Sequence, residues 1–377
     1  MMKTKAQSHK MIVTVLVILI SCFFVNTVNC NPQGNNTRKQ QERAILVNSV
    51  DDERGFIFLK KKLHDQNDVI IYSVNQQGLA DYGVSESMGQ AMEYAALRKD
   101  RQYFDLLAAQ TDKYYLDRAG YYYWKINAEN YAGEQISALV DDLRIFKAYY
   151  LAAQNNMGDY SKQLAYVSES IYKFDSDGKY LYDFYDDRSQ QKADYVSLFY
   201  LDMNSIDMLK AYDKQKWQEL WQNSRELLQK IEKREYGFYP VAFSYSEKKY
   251  VWNETGINMV ENLYTALNLY NADGDTGSLL KFMREEIKTN KKIANWYNFD
   301  GSVKDENESA AVYAARLFWL NNDSKYALWC YSKVLAFQIE DVSDFGGGFG
   351  DQDSGMVYAF DQLEALLMLR MVQGIGE

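Results

Sequence analysis

From residue 50 to the C-terminus the chain repeats one pattern, an acidic residue that opens a stretch of apolar side chains at three-and-four spacing. The acids are Glu86, Asp142, Asp194, Glu254, Glu308 and Asp353. Their separation, roughly 45 to 60 residues, accommodates two helices and two loops. Six such units predict six helical hairpins, and closing them into a ring gives an all-α (α/α)6 barrel. Proline is confined to Pro32 and Pro240, which leaves the apolar stripes uninterrupted. Met88, Ala91, Met92 and Ala95 form one stripe, Leu143, Phe146 and Tyr150 another, and Met259, Leu263, Ala266, Leu267 and Tyr270 a third. Asp177-Gly178, Asp273-Gly274 and Asp300-Gly301 mark turns, and residues 180–185 and 238–245 read as small β-hairpin decorations.

In such a barrel the six inner helices begin at a common rim, where unpaired N–H groups and partial positive charge favour carboxylates. Dipole compensation, about 0.3–1 kcal/mol each, accounts for any single acid of the six. As a set, with polar or small neighbours where inner helices would otherwise be apolar, they predict an acidic, aromatic funnel.

A net charge of −10 and a pI of about 5.0 offer nucleic acid no basic surface. Two histidines, His9 and His64, argue against a His-rich zinc site or a Ser-His-Asp relay. Carboxylates and tyrosines are left to carry any chemistry, and they number 52 and 32. No cofactor or metal is signalled.

Lys3, Lys5 and Lys10 precede an uncharged apolar run from Met11 to Val28, the pattern of an export signal. Leu19-Ile20-Ser21-Cys22 has the order of a bacterial lipobox, with Cys22 as the lipid-bearing residue; cleavage near Cys30 and an uncleaved anchor are the rival readings. Residues 1–30 are thus a leader, 31–43 a polar flexible tether and 44–377 the folded domain. Cys330 reads as a buried small hydrophobe.

The first unit runs Gly83-Val84-Ser85-Glu86-Ser87-Met88-Gly89-Gln90-Ala91-Met92. Ser85 suits an N-cap, and Gly89 costs about 1 kcal/mol relative to Ala inside a helix, a cost expected where something packs very close. This segment resembles the Ser-Glu-Gly-x-Gly-x-(Gly/Ala)-Met signature of family 8 glycoside hydrolases. The resemblance implies that Glu86 is a general acid. Ser137-Ala138-Leu139-Val140-Asp141-Asp142-Leu143-Arg144-Ile145 resembles the family's Ala-Thr-Asp-Ala-Asp-x-x-Ile helix start. Asp142 falls on the second aspartate and Val140 on the first, which leaves Asp141 to make the sugar contact. The block that carries the family's general base has no direct counterpart. Its nearest equivalent by position, Trp252 to Met259, offers Glu254 as base, with Asp194 and Glu308 in reserve and as further sugar contacts.

The resemblance implies an inverting hydrolase of a polysaccharide, akin to exported members beside exopolysaccharide genes in Gram-positive bacteria. Its two carboxylates would stand about 6.5–9.5 Å apart with water between. Tyr123 and Trp124, before the second inner helix, and Trp252, with Trp296 and Tyr297 near later rims, are candidates for stacking on sugar rings. A polysaccharide and a membrane are therefore the expected partners. A surface lipoprotein that binds polysaccharide without cutting it is the competing reading, since Val140 and the missing base block would also fit lost catalysis; a lyase ranks third. Phe345-Gly346-Gly347-Gly348-Phe349-Gly350-Asp351 lacks a Gly-Lys-Ser/Thr ending and reads as a flexible turn before the last inner helix rather than a phosphate loop.

Overall fold

The computed structural model describes residues 49–313 and 316–373. The leader, Cys22 and the tether lie outside them. The inner helices are α2 (Ser85–Arg98), α4 (Leu139–Gln154), α6 (Met203–Tyr212), α8 (Met259–Asn271), the short pair α10 (Ala310–Tyr313) and α11 (Arg316–Leu320), and α13 (Ala359–Gln373). Interleaved with them come α1 (Ser49–Phe58), α3 (Arg101–Tyr114), α5 (Ser161–Phe174), α7 (Lys214–Gln229), α9 (Gly277–Thr289) and α12 (Ser324–Ala336). Each inner helix packs on the next in the order α2, α4, α6, α8, α10 with α11, and α13, and α13 returns to α2. That closed ring is the (α/α)6 barrel expected from the six-unit repeat.

The two layers differ as their sequences require. In α2 every residue from Ser87 to Ala96 is buried, as a helix enclosed on all sides must be. The outer α9 buries Leu279, Leu280, Phe282, Met283 and Ile287 on one face and leaves its charges to solvent. Closure joins the two ends of the described chain: α1 packs on α13 and, through Phe56 and Tyr94, meets α2. Asp52 of α1, 1% exposed, fixes this seam by accepting from Tyr94 Oη at 2.6 Å, Arg98 Nη1 at 3.2 Å and Arg370.

The β-structure is confined to short antiparallel pairs. Ahead of α2 lie β1 (Ser73–Asn75), β2 (Gly78–Leu79) and β3 (Tyr82–Val84), and β3 pairs with β4 (Lys125–Asn127). Next come β5 (Tyr185–Asp186), β6 (Gln191–Lys192) and β7 (Tyr195–Ser197), which leads toward α6. Strands β8 (Ala242–Ser244) and β9 (Lys249–Val251) extend β7, and β10 (Ile257–Asn258), β11 (Trp296–Tyr297) and β12 (Val303–Asp305) form a second triplet. The last strand, β13 (Val357–Tyr358), pairs with β1 and so adds a second stitch to the seam. The hairpin expected at 238–245 is β8 with its partner β9. At 180–185 only Tyr185 is in a strand, and Leu181 makes a single bridge to Ser176.

Ser85 is not the N-cap of α2. Val84, in extended conformation, takes that place, and Ser85 instead donates its hydroxyl to Asp141 Oδ2 at 2.7 Å across the α2–α4 contact. Gly89 explains how α4 comes so close: a Cβ there would lie 2.9 Å from Arg144 Cβ. The neighbour inferred from that glycine is thus Arg144. Cys330 is a free, buried thiol.

Candidate active-site cleft

A cleft of about 940 Å³ opens at the rim where the inner helices begin. Five carboxylates line it: Glu86 from α2, Glu261 from α8, Asp361 from α13, Glu308 just before α10, and Asp351 from the loop before β13. Aromatic rings supply much of the remaining wall, among them Tyr72, Phe199, Tyr200, Tyr264, Tyr358 and Phe360. Arg144 is the one cation among the described lining residues.

Glu86 sits in the first turn of α2 with 27% of its side chain exposed. Burial raises its pKa; the Arg144 guanidinium opposes that rise and the Glu364 carboxylate adds to it. Arg144, only 8% exposed, sends Nη2 to Glu86 Oε1 and Nη1 to Glu364 Oε1, each at 3.2 Å. Gln90 Nε2 donates to the same Glu364 oxygen at 2.6 Å. A second buried pair, Lys147 Nζ to Glu93 Oε1 at 2.8 Å, continues the charged interior along α2 and α4.

Glu261 and Asp361 each occupy the first turn of their helix. Asn258 caps α8, accepting from the N–H groups of Val260 and Glu261, and its Nδ2 donates to Glu261 Oε1 at 3.3 Å, side chain to side chain. Burial raises the pKa of Glu261 and pushes that of Asp361 up to about 6, the latter held back by hydrogen bonds from the Ala311 N–H and Ser309. In the order of the ring α8 stands opposite α2, so Glu261 and Glu86 occupy facing walls.

The residues expected from sequence divide sharply. Glu86 and Glu308 line the cleft, Glu308 tied to Tyr313 Oη at 2.7 Å and Lys333 Nζ at 3.3 Å. Asp141 is buried beneath Ser85, its pKa pushed well up by burial and by Glu86. Asp142 is fully buried and absent from the cleft wall, where Val140 stands instead. Burial, then Asp175, pushes Asp142 well above the usual carboxylate range, and burial pushes Asp175 up to about 7. Ser137 Oγ donates to Asp175 Oδ1 at 2.6 Å, whereas neither Asp142 oxygen nor Asp175 Oδ2 meets a donor among the described residues, which favours a protonated carboxyl in this pair.

Glu254 lies exposed in the turn before β10, away from the cleft. Asp194 is exposed and accepts from Ser246 Oγ at 2.7 Å, and Asp353 is exposed in the loop before β13. The acids at the start of those three inner helices are instead Asp202, the N-cap of α6, Glu261 and Asp361. Tyr123 donates to Asp117 and packs edge-on against Tyr121. Trp124 Nε1 donates to Glu134 at 3.2 Å. Trp252 carries Arg234 4.1 Å above its ring. None of the three lines the cleft. The glycine-rich segment, in contrast, does more than turn the chain: Phe349 and Gly350 form part of the wall. Gly347, at φ +91°, lies where a Cβ would meet the Arg54 carbonyl at 2.6 Å.

Arg144 and Glu364, which sequence reasoning passed over, were marked by charged residues inside otherwise apolar inner helices. Glu261 was marked by the Asn-x-x-Glu capping pattern.

No family model matches the chain. The proposed lipoprotein YdaJ of Bacillus subtilis (strain 168) is 25% identical over 366 residues, 94% of this chain and 97% of its own length. Among solved structures, a novel alpha-amylase from Clostridium perfringens superposes with a TM-score of 0.74 at 25% identity, over 85% of this chain and 96% of that one. The endoglucanase Cel10 of Klebsiella pneumoniae, a family 8 glycosyl hydrolase, gives 0.60 at 14% identity over 86% and 99%. A D-mannose isomerase gives 0.67 at 11% over 87% and 97%, so the barrel itself also carries other sugar chemistry. The chain therefore has the fold of family 8 glycosidases and their structural kin. Among the described residues no helix is long and apolar enough to cross a membrane.

Proposed function

We propose that this chain is an exported glycoside hydrolase that cleaves a polysaccharide with inversion, Glu86 serving as general acid and Glu261 as general base. The observation that carries the reading is Glu86 itself, a carboxyl of raised pKa in an aromatic cleft, with a second carboxylate on the facing wall. Glu86 gives its proton to the leaving glycosidic oxygen as the bond to the anomeric carbon breaks. Glu261 takes a proton from water, whose oxygen attacks that carbon from the opposite face. The product carries a new hydroxyl of inverted configuration. Asn258, which donates to Glu261 Oε1, orients the base.

Glu261 replaces Glu254 in this scheme because Glu254 is exposed and does not line the cleft. The tyrosine and phenylalanine walls suit stacking on pyranose faces. The exopolysaccharide class of substrate, and a lipid on Cys22 holding the domain outside the cell, follow from the resemblance and the export signal. The lipoprotein relative supports the anchor.

The test is reducing-end release by the full chain on β-1,4-glucan, xylan, chitosan, an α-1,4-glucan and the producer's own exopolysaccharide. Release lost in Glu86→Gln and in Glu261→Ala, with azide rescuing the latter, is the expected result. Release from no polymer, with one of them still retained, would instead support a non-catalytic polysaccharide-binding surface lipoprotein. Val140 on the cleft wall, where the family has an aspartate, is the observation that favours that second reading.

A further inference from the structure

One buried guanidinium faces two carboxylates at equal distance, and a single positive charge neutralises only one of them. Their surroundings are unequal. Glu364 receives Arg144 Nη1 and Gln90 Nε2 on one oxygen and has Arg316 of α11 within electrostatic reach. Among the described residues Glu86 has only the Nη2 contact, through Oε1, and it borders the open cleft. The other groups facing Glu86 oppose its ionisation or are neutral: Asp141 on α4, and Tyr200 ahead of α6. Tyr264 on α8 and Phe360 on α13 lie beside the guanidinium, with ring centres 5.6 and 5.9 Å away.

We propose that Glu364 is a positioning residue for Glu86: it takes up the charge of Arg144 and leaves the proton on Glu86 Oε2, the oxygen not turned to the guanidinium. The role rests on the hydrolase reading, since only a proton donor needs it. Burial by itself would raise the Glu364 pKa, but Arg144 and then Arg316 outweigh it and hold that carboxyl below the ordinary range, in line with this division. Gly89 belongs to the same device, because a side chain there would push Arg144 away from both acids.

The test compares the full-length wild type with Glu364→Gln, which keeps the shape and removes the charge. Glu86 ionisation is followed by carbon NMR of glutamate-labelled protein, assigned through Glu86→Gln, beside the pH profile of kcat/KM on the polymer that the wild type cuts. With Glu364 neutral, Arg144 acts on Glu86 alone, so Glu86 ionises at lower pH. The alkaline limb should move down by about one pH unit, a roughly tenfold loss of kcat/KM above it. Glu364→Asp should restore the limb, and Gln90→Leu, a gentler change, should move it less in the same direction. A Glu86 titration unmoved in both Glu364→Gln and Gln90→Leu, with hydrolysis retained, overturns the inference and leaves the hydrolase standing. A titration that moves in a protein cutting no polymer overturns the hydrolase reading and the role with it.

Discussion

Glu86 and Asp142 lie at the starts of adjacent inner helices, each beside a second acid, and have opposite fates. At α2, Glu86 shares Arg144 with Glu364 and opens to the cleft. At α4, Asp142 faces Asp175, and among the described residues neither makes an ion pair or lines the cleft; Lys192 only lowers the Asp175 pKa from a distance. Glu86 and Asp142 both satisfy the preference of a helix N-terminus for acid. What separates a candidate proton donor from a sealed structural pair is a shared cation on one side and open space on the other, and neither is a property of the acid.

The comparison breaks most visibly if the two pairs are exchanged as targets. Glu86→Gln should lower kcat/KM by about 10²–10⁴-fold, the ordinary contribution of a general acid, with the melting temperature nearly unchanged. Asp142→Asn should leave hydrolysis largely intact. Next in size is Gly89→Ala, where the new Cβ meets Arg144 Cβ and the strain exceeds the gain in helix propensity. A destabilisation of about 1–3 kcal/mol is expected in chemical denaturation.

The sealed pair predicts a pH dependence of its own. Asp175 titrates near 7 when folded, against the usual 3.8 when unfolded, so the folded protein binds more protons across that window. Stability is greatest below about pH 4 for this group and falls as pH rises toward 7, by up to about 1.4 kcal/mol per unit and proton. Thermal melts at pH 5 and 7.5 should show the loss, and Asp142→Asn should flatten it by giving Asp175 an amide donor. The smallest effect belongs to Glu254→Gln and Asp194→Asn. Both residues are exposed and outside the cleft, so stability should stay within about 0.5 kcal/mol and activity should not change.

The barrel was legible because hydrophobic periodicity and the spacing of six acidic helix starts are local patterns, and local patterns are what a chain of letters displays. Glu86 and Gly89 were legible for the same reason, as neighbours on one helix. Three of the six rim acids were misplaced by five to nine residues, since Asp194, Glu254 and Asp353 sit in the loops that precede their helices. Asp202 and the N-cap at Asn258 were the better signals, because a cap is tied to the first N–H groups of its helix. Beyond local reach were the Arg144–Glu364 contact, which joins positions 220 residues apart, and the sealing of Asp142 by Asp175. The tyrosines and tryptophans chosen as sugar platforms failed to reach the cleft because rim loops have an outside as well as an inside. Phe349, Gly350 and Asp351 face the cleft from a segment that composition alone marked as a turn.

The seam at α1 and α13 sets a schedule for the molecule. The helix that carries Glu364 is the final one described, and it must find both α1 and α2, made some three hundred residues earlier. Until that helix is synthesised, five-sixths of a barrel exists with its apolar interior open on one side, the kind of surface that invites aggregation. The closed cleft and the charge balance behind Glu86 therefore both wait on the docking of α13, and a chain cut short before Ala359 has neither.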